Sequence, residues 1–496
     1  MPNRESVTDK VSKSAVALIV RQIVVFVISV TGGVLLARLL TPEEFGIYAI
    51  VVFAMNFLKV FGDVGLAASL IRKKEDPSKQ EYAAIFTIQQ LLVASAVIIF
   101  WVMAPWLVQQ YELAEAYTWL FRLVALSLVA TSFMVIPQVQ LERDLSFDKI
   151  AVIEVSQALA FNVVAVLLAW YGYGAFALGW GLVARSAAGG ILANIVQPWA
   201  ISLKWEWGIV KKHLKFGIPF QATSLVSTIN SALNPVLIAL VFGMASAGYV
   251  EWAIILVGYL QRPLLLLNRL LFPTYSRLRE NKEKLSEAVN YTYVVSSLIF
   301  FGLAGILYGL APDIVRIIYT DKWLPALPVL YLLIIAKAFI PMSMPNGALA
   351  YALGWAKTVF YLNIGKGLFL WAAVVALIYI MDSYIAYGYA MVLTEILHLV
   401  LYFMLKKILP GISIIKTQVL FALAALLTGL TIETLSSFYH LGNIIYLIGA
   451  LGVSGIIYIV YSYILYTVYK IWTDSNIVYY ALSFLYKNLK RNVLKG

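Results

Sequence analysis

Residues 34–74 read VLLARLLTPEEFGIYAIVVFAMNFLKVFGDVGLAASLIRKK: an apolar segment, a short polar turn, and a second apolar segment that stops at three cations. The turn is Thr41-Pro42-Glu43-Glu44. A threonine accepts hydrogen bonds from the free N–H groups of a helix start, proline suits the first helical position, and acids complement the positive end of the helix dipole. A helix is therefore expected from Glu44 to Ile71, interrupted by charge only at Lys59 and Asp63. The cluster Arg72-Lys73-Lys74 marks the cytoplasmic end of a membrane hairpin, because Lys and Arg are retained on that side.

The rest of the chain repeats this pattern. Of its 496 residues 62% are hydrophobic and 12% charged, with a mean hydropathy of +0.86, well beyond the usage of soluble domains. Apolar runs recur about every 30 residues, each near the ~20 residues needed to cross the hydrocarbon core. Helices are expected at 14–40, 44–71, 81–108, 115–138, 149–171 and 174–199, then at 214–241, 246–272, 289–310, 326–352, 358–380 and 384–408, with two more at 415–436 and 441–470. The fold class is an all-α polytopic membrane protein of about 14 transmembrane helices. No cysteine is present, which excludes disulfides and thiol nucleophiles. The polar first 13 residues lack the apolar core of a removable signal peptide.

Within the opening stretch, LLARLLTPEEFGIYA followed by F.DVGLAASLIRKKE (Leu35–Glu75) resembles the amino-terminal signature of polysaccharide-repeat flippases. These are the Wzx-like and teichuronic-acid-exporter-like branch of the multidrug/oligosaccharidyl-lipid/polysaccharide superfamily. The resemblance implies alternating access by two rocking six-helix lobes. A lipid-linked oligosaccharide would cross the cleft by its head group while its tail stays among the membrane lipids of a prokaryotic plasma or inner membrane. Proton or cation coupling and a polysaccharide polymerase complex belong to the same expectation; a cofactor does not.

Charge sets the topology independently. About 26 Lys and Arg fall in alternate connections on the side shared by both termini, including Lys204–Lys215, Arg277–Lys284 and Lys487–Lys495. The opposite connections hold Arg316, Lys322 and little else. Both termini are thus expected in the cytoplasm, and the net charge of +12 reads as a topology signal. Basic residues spread over short loops give no platform for nucleic acid. A shift of 202 residues aligns Val34-Leu35 with Val236-Leu237, Ala37 with Ala239 and Gly46 with Gly248. This faint repeat predicts a lobe at 1–203 and a second at 204–410, related by a pseudo-two-fold along the membrane normal, with residues 411–496 an appended helix pair and basic tail.

Chemistry is sought in polar groups within the helices. Nine cations lie there: Arg21, Arg38, Lys59, Arg122, Arg185, Arg262, Arg269, Lys337 and Lys366. At mid-depth facing lipid each costs roughly 2.5–3.5 kcal/mol on insertion scales, so those too deep to snorkel should face a cavity or a partner. The first helix carries a stripe at Ser14, Arg21, Gln22, Ser29 and Gly32; the seventh carries Gln221, Ser224, Thr228 and Ser231, flanked by Asn230 and Asn234. Small residues alone would suit close helix packing, whereas the added arginine and amides suit a cleft wall. The substrate-binding set is Arg21, Gln22, Lys59, Arg185, Ser224, Thr228, Asn230, Arg262 and Lys337. Asp63, four residues after Lys59, either pairs with it or couples an ion, and Glu395 with His398 at i, i+3 is a second ion-coupling candidate.

Three functions compete. A cation-rich cleft suits an anionic, pyrophosphate-linked oligosaccharide. A small-molecule exporter of the same superfamily would be better served by an acid-rich cleft. A glycan polymerase or glycosyltransferase lacks support, since Asp-x-Asp, His-Glu-x-x-His and phosphate-loop motifs are absent and the longest outward loop, 311–325, is short. A transporter, not an enzyme, is the expectation.

Overall fold

In the computed structural model every described element is a helix. The structure describes residues 7–438 and 444–473, without the side chains of 7–19, 61, 63, 216, 218–220, 222–224, 227, 230–235, 266, 415–416, 437–438 and 468–473. In chain order the helices are α1 (Val7–Leu39), α2 (Pro42–Asp63), α3 (Leu66–Arg72), α4 (Lys79–Gln110), α5 (Tyr117–Ser132), α6 (Val135–Arg143), α7 (Phe147–Trp170), α8 (Ala175–Val196) and α9 (Trp207–Leu278). They continue as α10 (Lys282–Ile314), α11 (Leu327–Lys337), α12 (Ile340–Ala352), α13 (Ala356–Met381), α14 (Ala386–Ile396), α15 (His398–Ile408), α16 (Ile415–Phe438) and α17 (Ile444–Thr473). Among the described residues ten helical stretches are long and apolar enough to cross a membrane, or up to twelve if each of two bent pairs is one span.

The opening turn forms as its chemistry dictates. The Thr41 hydroxyl accepts from the Glu44 N–H at 3.2 Å, and the Glu44 carboxylate accepts from the Thr41 N–H at 2.7 Å, a reciprocal capping box with Pro42 at the first helical position. The helix expected over 44–71, however, is broken. Val64 (φ 48°) and Gly65 (φ 73°) both adopt the left-handed region, ending α2 and starting the short α3. A β-carbon on Gly65 would lie 2.4 Å from the Gly217 carbonyl oxygen, so only glycine lets α9 approach the break.

Other expected boundaries also shift. The helix at 115–138 divides into α5 and α6, bent by 41°, and that at 326–352 into α11 and α12, bent by 40°. The two helices placed at 214–241 and 246–272 need no loop: α9 passes through one non-helical residue, Gly243 (φ 81°). The connection at 311–325, expected to face outward, is itself helical. α10 reaches Ile314, a π-helical turn covers Val315–Tyr319 and a 3-10 turn covers Asp321–Ala326.

The chain divides into two compact units, one up to Glu251 and one from Trp252. In the first, α1 packs on α7, α7 on α8, α8 on α5, α5 on α4 and α4 on α2. One end of this unit gathers the basic connections. Arg143 donates to the carbonyls of Leu70 (2.8 Å), Lys73 (2.7 Å) and Glu75 (3.0 Å) and to Asp76 (2.9 Å), tying the end of α6 to the end of α3 and the chain that follows it. The Lys204 N–H reaches Thr87 at 2.8 Å, bringing the connector before α9 to the same end. Glu44 and Gly174 adjoin at the other end.

In the second unit α10 holds α16 and α17, α11 holds α14, and α12 packs on α13 and α15. Small residues let α10 and α16 approach closely: a β-carbon on Gly305 would meet the Ala425 carbonyl at 2.7 Å. The last two helices are thus seated on this unit's own core. Asn290 bonds Gly411 (2.8 Å) and Ser413 (2.9 Å), joining two basic connections, while Tyr384 donates to the Pro325 carbonyl at 2.7 Å between two of the others. Outward faces are apolar, with Trp170, Leu368, Tyr379 and Ile456 exposed, a surface suited to lipid rather than water.

Candidate functional site

The first unit contains a cavity of about 490 Å³ with Asn56, Lys59, Gln89, Gln138, Gln221 and Thr228 in its wall. Its geometry follows from the helices around it. Gln221 donates to the Val60 carbonyl at 3.0 Å, fixing α9 against α2, so that Thr228, two turns on, faces the same space as Lys59. Among the described residues the buried Gln89 carbonyl oxygen has no hydrogen-bond partner. Arg185, exposed on α8, is near enough to Lys59 and to the Tyr48 hydroxyl for their charges to interact. Two cations therefore share this region.

The other expected residues are placed as follows. Arg21 is ion-paired with Glu154 at 2.7 Å, joining α1 to α7. Gln22 is half-buried on α1. Ser224, Asn230 and Asp63 have side chains outside the described residues, as do Ser14, Ser231 and Asn234. In the second unit Arg262 lies 5.3 Å from the ring centre of Tyr259, a cation–π contact. Lys337 bonds Glu395 at 2.9 Å. Arg122, one of the nine cations, lies over the rings of both Trp101 (5.4 Å) and Trp119 (5.1 Å), which pack edge to face.

Glu395 gathers more than the sequence reading assigned to it. Its carboxylate also accepts from Lys366 at 2.6 Å and lies 2.8 Å from His398 Nε2, so residues of α11, α13, α14 and α15 converge. Lys366 is one of the nine intramembrane cations outside the substrate-binding set, and nothing local in the sequence marks Glu154 or Gln89 as a partner. The i, i+3 spacing of Glu395 and His398 was the one local signal. Among the described residues no group of three or more His, Asp or Glu is placed to hold a metal ion.

His213, at the basic end of the first unit, is 6% exposed. The Ser69 hydroxyl donates to the Leu66 carbonyl at 2.6 Å, so its oxygen accepts from His213 Nδ1–H at 2.8 Å. Nε2 then carries the lone pair, 3.8 Å from Glu81. Burial holds the imidazole below its ordinary 6.5, against the opposing pull of Glu81. The unfolded chain takes up this proton near 6.5 and the folded chain resists it. Stability from His213 is therefore complete above that value and lost as pH falls through it towards the folded value. Melting temperatures should fall more between about pH 7.5 and 5.5 for the native protein than for His213→Gln. Parallel curves remove this role.

The family model described as polysaccharide biosynthesis protein matches residues 35–328. An uncharacterised membrane protein in the cps region of Klebsiella pneumoniae is 27% identical over 335 residues, covering 64% of this chain and 66% of that protein. The lipopolysaccharide biosynthesis protein WzxC of Escherichia coli K12 is 25% identical over 396 residues, 76% of this chain and 77% of that one. Among solved structures, the lipid II flippase MurJ in an inward closed conformation is similar with a TM-score of 0.72 at 16% identity, covering 92% of this chain and 98% of that one, a likeness of fold.

Proposed function

This chain belongs to the polysaccharide biosynthesis protein family, and we propose that it is a flippase that moves isoprenoid-pyrophosphate-linked oligosaccharide repeat units from the cytoplasmic to the outer leaflet. The observation that carries this reading is the 490 Å³ cavity in which Lys59 stands among amide and hydroxyl groups, with Arg185 in electrostatic range. Cations bind phosphate oxygens by charge-assisted bonds, and the amides and hydroxyls, including the Gln89 oxygen that has no partner among the described residues, match sugar hydroxyls. A small-molecule exporter of the same superfamily would place acids there for cationic substrates. Alternating access by two six-helix lobes is the movement that fits, with Asp63 the candidate for coupling an ion, since Glu395 is already held by Lys337 and Lys366.

Fourteen spans follow if α2 and the part of α9 before Gly243 cross the membrane beside the twelve counted above. Support for the two-lobe repeat comes from Gly46 and Gly248, which the 202-residue shift aligns and which occupy one contact. The gathering of basic connections at one end of each unit favours cytoplasmic termini. Reporters fused after Lys74 and Lys215 should then behave as cytoplasmic, and those at Glu43 and Asp321 as external. An external signal after Lys215 overturns this topology. Function is tested by reconstituting the protein into liposomes with lipid-linked oligosaccharides and measuring head-group accessibility at the opposite leaflet. A rate equal to that of protein-free liposomes, across candidate substrates, rules the flippase out.

A further inference from the structure

The second unit contains a larger cavity, about 940 Å³, with Asn268, Ser343, Asn363, Lys366 and His398 in its wall. Behind Lys366 stands the cluster centred on Glu395, and its charge can be counted from geometry. Lys366 Nζ is 2.6 Å from His398 Nε2 as well as 2.6 Å from the Glu395 carboxylate. At that separation one proton lies between the two nitrogens, and Nε2 also stands 2.8 Å from the Glu395 carboxylate, so Lys366 and His398 together carry one positive charge whichever nitrogen holds it. That charge and the Lys337 ammonium thus share one carboxylate. The cluster holds a net single positive charge, with Lys337 and Lys366 about a quarter exposed (23% and 24%) and Glu395 7% exposed.

An unbalanced charge within a membrane span is costly, and among the described residues Glu395 is the one carboxylate paired with either lysine. The missing negative charge has a place to sit: the cavity that Lys366 and His398 line. We infer that this cavity is an anion site for a phosphate- or pyrophosphate-bearing group. Asn268, Asn363 and Ser343 supply further neutral hydrogen-bonding groups, and Phe272, Leu362 and Leu401 give the same wall an apolar side. That mixture fits a phosphate carried on a lipid better than a free ion. The lipid-borne source rests on the flippase reading; the anion site itself does not.

The charge count makes opposite predictions for neighbouring substitutions. Lys366→Gln or Lys337→Gln leaves one lysine balanced by Glu395, a neutral pair that should fold, and should weaken anion binding about tenfold or more. Glu395→Gln removes the internal counter-charge and should tighten binding by a similar factor. A purely structural cluster would instead lose melting temperature with every substitution and leave binding alone. The probes are inorganic pyrophosphate, polyprenyl pyrophosphate, and phosphatidylglycerol nanodiscs against phosphatidylcholine ones, titrated against the purified full chain with melting temperature recorded. Polyprenyl pyrophosphate alone binding tightly assigns the lipid carrier. Equal binding of inorganic pyrophosphate assigns the phosphate group itself, and saturation by phosphatidylglycerol assigns a resident phospholipid. Folded Lys366→Gln and Glu395→Gln proteins with native affinity, or weakened binding in both, overturn the inference. Absence of translocation in liposomes overturns the flippase reading while leaving the anion site standing.

Discussion

Replacing Gly248 with valine is expected to yield a protein that melts far below the native one and translocates nothing. A β-carbon there would lie 1.7 Å from the Pro42 carbonyl oxygen, and one on Gly46 would lie 2.0 Å from the Met244 carbonyl oxygen. Neither obstacle can swing aside, because each is backbone, and Pro42 is anchored by the capping box of α2. Overpacking usually costs about 1–3 kcal/mol; with a fixed carbonyl as the obstacle the upper end or beyond applies. The two contacts correspond under the 202-residue shift. Adding 202 to Pro42 and Gly46 gives the positions of Met244 and Gly248, so each glycine meets the counterpart of the other's neighbour. Gly46→Val should therefore cost about as much as Gly248→Val. Gly258→Ala is the control, with nothing within 4 Å of its added carbon. Native melting of Gly248→Val would mean that α2 and α9 do not meet here.

The features legible in the sequence were those written locally. Thr41, Pro42 and Glu44 are adjacent and state a helix start; apolar length states a span; alternating basic connections state which loops share an end. The breaks were hidden. Val64-Gly65 lies inside an apolar run, and its left-handed backbone answers to the approach of Gly217, more than a hundred residues away. The site was legible as a list of costly charges but not as pairs. Glu395 and His398 are three apart and could be joined on paper, whereas Lys337 and Lys366 reach the same carboxylate from separations of 58 and 29 residues. Spacing carries no such information, because tertiary packing chooses the partner. The nine intramembrane cations thus divide: Arg21 is held by Glu154, Lys59 stands on a cavity wall, and Lys366 is both paired with Glu395 and on a cavity wall.

Arg21→Gln is expected to lower stability, and adding Glu154→Gln should restore most of it. The guanidinium of Arg21 is 9% exposed and lies 2.7 Å from the Glu154 carboxylate, so removing it strands an acid within the helical bundle. Breaking a fully buried pair costs about 3–5 kcal/mol; with Glu154 at 40% exposure, solvent screens the orphan and about 2 kcal/mol is the better figure. Neutralising both partners removes the stranded charge. Melting temperatures of the two single variants and the double variant, read as a cycle, give the coupling directly. Translocation by the double variant then assigns the residue. Restored stability with restored transport makes Arg21 a positioning residue between α1 and α7. Restored stability with lost transport places its positive charge in the path of the anionic head group. An Arg21→Gln protein that melts like the native one removes the pair itself.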